Sequence, residues 1–292
     1  MRILLLGVLV ISIVSQPEHV YGQVAAPEST QVRTARFVYK QTEHRDLELV
    51  VDYPREWRAT DSRAAVVFFY GGGWAYTALD HFRRQAEYFA SRGMVAIRPD
   101  VRVRDPDGTT PAESVEDAKS AIRWIRSHAD SLGIDPERIV AGGGSSGGHL
   151  AACTAQCSGP ENTDEYFSIS SRPDALILFN PLLRYSGLRK IEEAYPVVSD
   201  EIARQISPNL HMQEEAPPTL LLFGSEDPLL VWAASYVDRA RELGNHLELY
   251  VAHGQSHAFF NDSPWYEETL MRADRFLVSF GYLPEFPVTV ER

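Results

Sequence analysis

Continuous apolar runs and alternating stretches divide this chain into a regular succession of elements. Thr34–Gln41 and Leu47–Tyr53 alternate apolar and polar residues about a polar turn, which predicts a β-hairpin. Ala64–Tyr70 ("AAVVFFY"), Ala175–Asn180 ("ALILFN") and Thr219–Phe223 ("TLLLF") are unbroken apolar runs, the pattern of strands covered on both faces. Met94–Pro99, Arg138–Ala141 and Leu247–Ala252 read as further strands. Between them, helical periodicity predicts helices over His81–Arg92, Ser114–Leu132, Ser145–Cys157, Val231–Leu243 and Trp265–Phe280. Alternating strands and helices imply an α/β fold: about eight mostly parallel strands in one sheet, with helices on both faces. Leu183–Pro218 breaks the rhythm. It is long, polar and rich in proline, which predicts a small helical insertion over one end of the sheet.

The first residues carry a different pattern. Arg2 precedes the apolar run Ile3–Ser15, and Val20-Tyr21-Gly22 offers small residues suited to a signal peptidase. A membrane anchor would need roughly 20 apolar residues, and this run is shorter, with Pro17 just beyond it. The reading is therefore a signal peptide over residues 1–22, cleavage near Gly22, export, and one catalytic domain over 23–292 with no stable membrane anchor.

The net charge of -12 argues against a nucleic-acid partner, because phosphate backbones recruit basic faces. Only two cysteines occur, Cys153 and Cys157, so no disulfide framework supports the fold. One helical turn separates them. Their Cα atoms fall within disulfide range while the Cβ atoms stay apart unless the helix distorts, which favours two buried thiols over a bond.

The segment "AGGGSSGGHLAA", Ala141–Ala152, places five glycines around two serines at a strand–helix junction. A phosphate cradle would put Lys beside Ser or Thr at the helix start, but this chain has Gly-Gly-His there. The alternative is a nucleophile elbow. Gly143-Gly144-Ser145-Ser146-Gly147 fits G-x-S-x-G, although Gly144 and Gly148 also bracket Ser146. A serine nucleophile needs a base and an orienting acid, in the chain order serine, acid, histidine. Asp227 follows the strand Thr219–Phe223, and His257 follows the strand ending at Ala252. Each has a plain alternative, Asp227 as a helix cap and His257 as a surface residue. All three at successive strand ends, in order, favour the catalytic reading. Three glycines after the strand at Tyr70 ("YGGGW") can aim backbone N–H groups at a carbonyl oxygen, together with the N–H of Ser146.

With "YGGGW", "SVEDAKSAIRWIR", "GGGSSGGHLAA", "ALILFNP", "PPTLLLFGSEDPLL" and "SHAFF", the chain resembles the α/β-hydrolase esterases related to hormone-sensitive lipase. Within that group it is most similar to secreted bacterial acetyl-xylan or feruloyl esterase-like proteins, over about Ala64–Leu283. The resemblance implies Ser145 as nucleophile, His257 as general base, Asp227 as its partner, and Gly72, Gly73 and Ser146 as oxyanion donors. It implies hydrolysis of short-chain, acetyl esters through an acyl-serine, on a small-molecule or polysaccharide substrate, with no metal or organic cofactor. Trp74 and the insertion over 183–218 would shorten the acyl pocket. Two departures stand out: Tyr70 replaces the usual His before the glycines, and Gly144 and Ser146 flank the serine. A general carboxylesterase, an amidase or formamidase, and an inactive binding homologue are the rival readings.

Overall fold

The computed structural model describes residues 33–165, 168–185, 193 and 199–285. The signal segment 1–22 lies outside these residues, as does part of the insertion over 183–218. The elements are β1 (Arg33–Gln41), β2 (Asp46–Tyr53), β3 (Arg63–Phe69), α1 (Arg83–Ser91), β4 (Val95–Pro99), α2 (Arg104–Asp107), α3 (Pro111–Ser127), α4 (Ala129–Leu132), β5 (Ile134–Gly144), α5 (Ser146–Gln156), β6 (Ala175–Phe179), α6 (Asp200–Gln205), β7 (Thr219–Gly224), α7 (Ala233–Glu242), β8 (Leu247–Ala252) and α8 (Trp265–Ser279). The eight strands form one sheet in the order β1-β2-β4-β3-β5-β6-β7-β8. β1 and β2 are antiparallel, as are β2 and β4; the pairs from β4 through β8 are parallel.

The apolar runs produce this sheet because both of its faces are covered. Along β3 successive side chains point to opposite faces. Ala65, Val67 and Phe69 enter one core cluster, while Ala64, Val66 and Phe68 enter the other. Full burial of a side chain such as Phe68 or Phe69 contributes on the order of 1.5–3 kcal/mol. At the edge, β8 ("LELYVA") is half-exposed along its middle.

Several boundaries differ from the sequence reading, among them the start of β5, which begins at Ile134. The helix read from Ser114 starts at Pro111 and ends at Ser127, with α4 as a separate turn. A capping box sets its start: Thr110 Oγ1 accepts from Ala112 N, and Glu113 Oε2 accepts from Thr110 N. The helix read from Val231 begins as a 3₁₀ turn over Pro228–Trp232 before α7, capped by Asp227. The glycine segment is hardly a loop at all. β5 continues through Gly142–Gly144, pairing with β3 and β6, and α5 starts at Ser146, so only Ser145 lies between strand and helix.

That abrupt junction depends on Gly147. A Cβ there would lie 2.1 Å from Phe69 O and 2.5 Å from Tyr70 O, both backbone atoms at the end of β3. The first turn of α5 could not keep its seat against the sheet. Gly147→Ala is expected to destabilise the protein by about 3 kcal/mol or more, read as a lower urea midpoint. An unchanged midpoint would show that α5 does not need this close approach.

Of the insertion, α6 and a 3₁₀ turn over Pro208–Leu210 are described, in keeping with the helical expectation. Ile206 O accepts a hydrogen bond from His149 of α5, and Ser207 Oγ accepts one from Tyr185 N, so this part packs beside the elbow helix.

Candidate active site

Ser145 sits between β5 and α5 with φ 55° and ψ −118°, a conformation that non-glycine residues rarely hold. Its N–H donates to Phe179 O of β6, and its carbonyl accepts from His149 N, fixing the turn at both ends. The side chain is left above the carboxyl ends of the strands, where open α/β sheets bind ligands. His257, on the loop after β8, places Nε2 2.9 Å from Ser145 Oγ. Its Nδ1 lies 2.8 Å from Asp227 Oδ2, on the turn after β7. The carboxylate accepts only, so Nδ1 carries the proton and Nε2 faces the serine hydroxyl as acceptor.

Asp227 is 4% exposed and fully engaged. Oδ2 also accepts from Asn180 Nδ2 at 2.8 Å, and Oδ1 accepts from Leu229 N at 2.8 Å. This one side chain makes both sets of contacts: one oxygen caps the 3₁₀ turn, the other holds His257.

Ser146 is separated from this chain of bonds. Its hydroxyl accepts from Gly73 N at 2.9 Å, so of the two serines it is Ser145 whose hydroxyl meets His257. The same contact brings the glycine segment after β3 against the start of α5. Gly72 (φ 131°), Gly73 (φ 64°) and Trp74 (φ 54°) turn in succession, and the Tyr76 ring lies across Gly72. Gly72, Gly73 and the Ser146 backbone are therefore neighbours at the positive end of a helix. Trp74 is packed inward, its ring centroid 5.0 Å from that of His149 in an edge-on contact.

The sequence profile of a family described as alpha/beta hydrolase fold matches residues 66–261. The chain belongs to the α/β hydrolase fold family. Esterase 2 of Thermogutta terrifontis, phosphonylated by sarin, superposes with a TM-score of 0.83 at 39% identity, covering 89% of this chain and 99% of that one. The same esterase is also known with butyrate bound. Esterase LipC of Mycobacterium tuberculosis is 27% identical over 279 residues, covering 83% of this chain and 66% of LipC. Endo-1,4-beta-xylanase B of Butyrivibrio fibrisolvens is 29% identical over 179 residues, covering 57% of this chain and 27% of the xylanase. The chain thus spans only part of the length of these last two relatives.

In this α/β hydrolase several supporting residues carried no sequence signal. Asn180, at φ 41°, closes β6 and steadies the Asp227 carboxylate. His81 accepts from Gly71 N, and Asn261 meets the other side of its ring. Tyr70, in place of the usual His, donates to Asp100 Oδ1 and Val101 O, each at 3.1 Å. It braces β3 against the end of β4 instead of holding the glycines.

Beneath the elbow, His149 is fully buried and Nε2 donates to Ile206 O at 2.7 Å. Burial pushes its pKa down to about 4 from the ordinary 6.5, against the opposing pull of that carbonyl. Cys153 and Cys157 below it are free, buried thiols with Sγ atoms 3.5 Å apart, as expected. Burial, reinforced by Cys157, pushes the Cys153 thiol well up. The His149 shift has a consequence for acid stability. As pH falls through about 6.5 the unfolded chain takes a proton that the folded protein refuses until about 4, so stability drops across that window. Between pH 7 and pH 5 this amounts to about 2 kcal/mol. Urea midpoints at the two pH values should therefore fall less for His149→Gln than for the parent. Equal falls would contradict the assignment.

Proposed function

We propose that the protein is a carboxylic ester hydrolase that transfers a short acyl group to Ser145 and then to water. The observation that carries this reading is the hydrogen-bonded run Ser145–His257–Asp227, at 2.9 Å and 2.8 Å, drawn from the ends of β5, β8 and β7. His257 accepts the Ser145 proton as Oγ attacks the ester carbonyl, and Asp227 keeps the imidazole in the required tautomer. The charge that develops on the carbonyl oxygen meets the N–H groups of Gly72 and Ser146, and that of Gly73 once it is released from Ser146 Oγ. The imidazolium returns its proton to the leaving alcohol. Water then attacks the acyl carbon and gives a proton to His257, which passes it to Ser145 Oγ as the acid leaves.

The acyl group is acetyl or little longer. A relative of 39% identity is known with butyrate bound, which supports this length. An acetylated sugar is the natural ester in this reading, supported by the resemblance to acetyl-xylan esterase-like proteins, the likeness to part of a xylanase, and the export pattern of residues 1–22.

Chain length tests the acyl side. Each further methylene that finds a site would add about 0.8 kcal/mol of binding. A long pocket would therefore show kcat/KM rising with acyl length. On p-nitrophenyl esters the expected order is the reverse, acetate above octanoate, with release of acetate from acetylated xylan exceeding release of ferulate from methyl ferulate. An optimum at eight carbons or more would replace the acetyl reading with a lipase-like one.

A further inference from the structure

The glycine segment and the loop of the base are joined by one side chain. Gly71 N donates to His81 Nδ1 at 3.0 Å, and His81 Nε2 lies 3.0 Å from Asn261 Oδ1. Gly71 opens the glycine run after β3. Asn261 ends the 3₁₀ turn Phe259–Asn261, four residues beyond His257. The imidazole therefore ties Gly71, ten residues before it, to Asn261, 180 residues after it.

The protonation of the ring follows from its neighbours. A backbone N–H only donates, so Nδ1 must accept, and the proton resides on Nε2, where it is donated to the Asn261 carbonyl. Only the neutral imidazole makes both bonds. Burial favours that form and lowers the pKa of His81, the Asn261 bond acting in the opposite direction. The ring is also held mechanically, with centroids 4.8 Å from Phe82 and 5.9 Å from Phe260. Gly71 has no slack. A Cβ there would lie 2.8 Å from Gly144 O and 3.2 Å from His81 Cε1, so this glycine is wedged between the elbow strand and the imidazole. On the other side, Ala258 next to His257 adopts φ 66°, a conformation that alanine holds only when its surroundings impose it.

We propose that His81 is a positioning residue for ester hydrolysis, clamping the segment Gly71–Gly73 and the loop of His257 in one register. The inference rests on the ester-hydrolase reading above. His81 touches neither substrate nor nucleophile; it acts through Gly71 and Asn261. Tyr70 ties the end of β3 to the end of β4, and His81 braces the glycine run on the side that faces the base.

The test compares kcat and KM for p-nitrophenyl acetate among the parent, His81→Phe, His81→Asn and Asn261→Ala. A displaced donor or base costs rate without weakening substrate binding. His81→Phe should lower kcat by about ten- to a hundredfold with KM changed by less than about twofold. His81→Asn restores an acceptor for Gly71 N–H and should recover kcat to within about fivefold of the parent. Asn261→Ala, at a half-exposed turn, should lower kcat by about three- to tenfold with KM again unchanged. It decides the matter if His81→Phe does not fold. An unchanged kcat in His81→Phe, or equal losses in His81→Phe and His81→Asn, overturns the clamp. A parent without esterase activity overturns the ester-hydrolase reading, whereas an active parent with unaffected variants overturns the role of His81 alone.

Discussion

Replacing Ser145 with alanine is expected to lower kcat for p-nitrophenyl acetate by about 10⁴-fold or more while the fold is kept. The substitution removes one oxygen, the acceptor–donor partner of His257 Nε2, and leaves Cβ in place. Alanine inherits the same φ of 55°, so the strain of the turn is common to both proteins and the melting temperature should barely change. The neighbouring hydroxyl cannot take over. Ser146 Oγ is directed to Gly73 N, on a helix whose first turn is pinned against β3 by Gly147. Ser146→Ala should accordingly cost only the hydrogen bond to Gly73, about 1 kcal/mol or roughly fivefold in rate. Steady-state kinetics on the two variants separate the serines. Survival of Ser145→Ala with loss in Ser146→Ala would shift the elbow by one residue.

Asp227→Asn should be nearly as severe, lowering kcat by about 10³- to 10⁴-fold. The two side chains have the same shape, so the argument is one of donors and acceptors. Asp227 receives three donors: His257 Nδ1 and Asn180 Nδ2 at one oxygen, Leu229 N at the other. An amide has one acceptor oxygen and an NH₂ group. With the NH₂ toward His257, the imidazole must present an unprotonated Nδ1, which puts its proton on Nε2 where the serine proton has to go. With the oxygen toward His257, the NH₂ meets Leu229 N–H in a buried site, at a cost of about 1–3 kcal/mol. The first arrangement costs catalysis and also turns the NH₂ toward the donor Asn180 Nδ2; the second costs stability at Leu229 N. Measuring kcat together with the melting temperature shows which one the protein takes. A loss of kcat below tenfold at unchanged stability would mean that Asp227 is a cap and nothing more.

Much of this fold could be read from the chain because its strands are buried on both faces. "AAVVFFY", "ALILFN" and "TLLLF" are apolar except for Asn180 and Thr219 at their ends, and each became a strand within a residue of the expected bounds. The site was legible for a related reason: Ser145, Asp227 and His257 each come after one of the parallel strands β5, β7 and β8, and parallel strands bring their carboxyl ends together. The end of β5 was not legible. Gly142–Gly144 have no side chains to declare a strand, and their place in the sheet is fixed by backbone pairing with β3 and β6. The start of α3 carried a readable signal in Thr110 and Glu113, a capping pair three residues apart. His81, Asn180 and Asn261 are a different case. His81 reads in sequence as the head of a helix and Asn180 as the end of a strand. Their roles exist only through contacts with distant segments, as in the pairs Asn180–Asp227 and His81–Asn261.

The central claim is that the ester's acyl group passes through Ser145. Mixing the protein with p-nitrophenyl acetate, quenching in acid within the first turnover and mapping the peptides by mass spectrometry tests it directly. The account predicts one acetyl group per chain, on Ser145 of the peptide spanning the elbow, and its absence from His257→Ala treated identically. Turnover with no adduct on that peptide, or an acetyl group on Ser146, would contradict it.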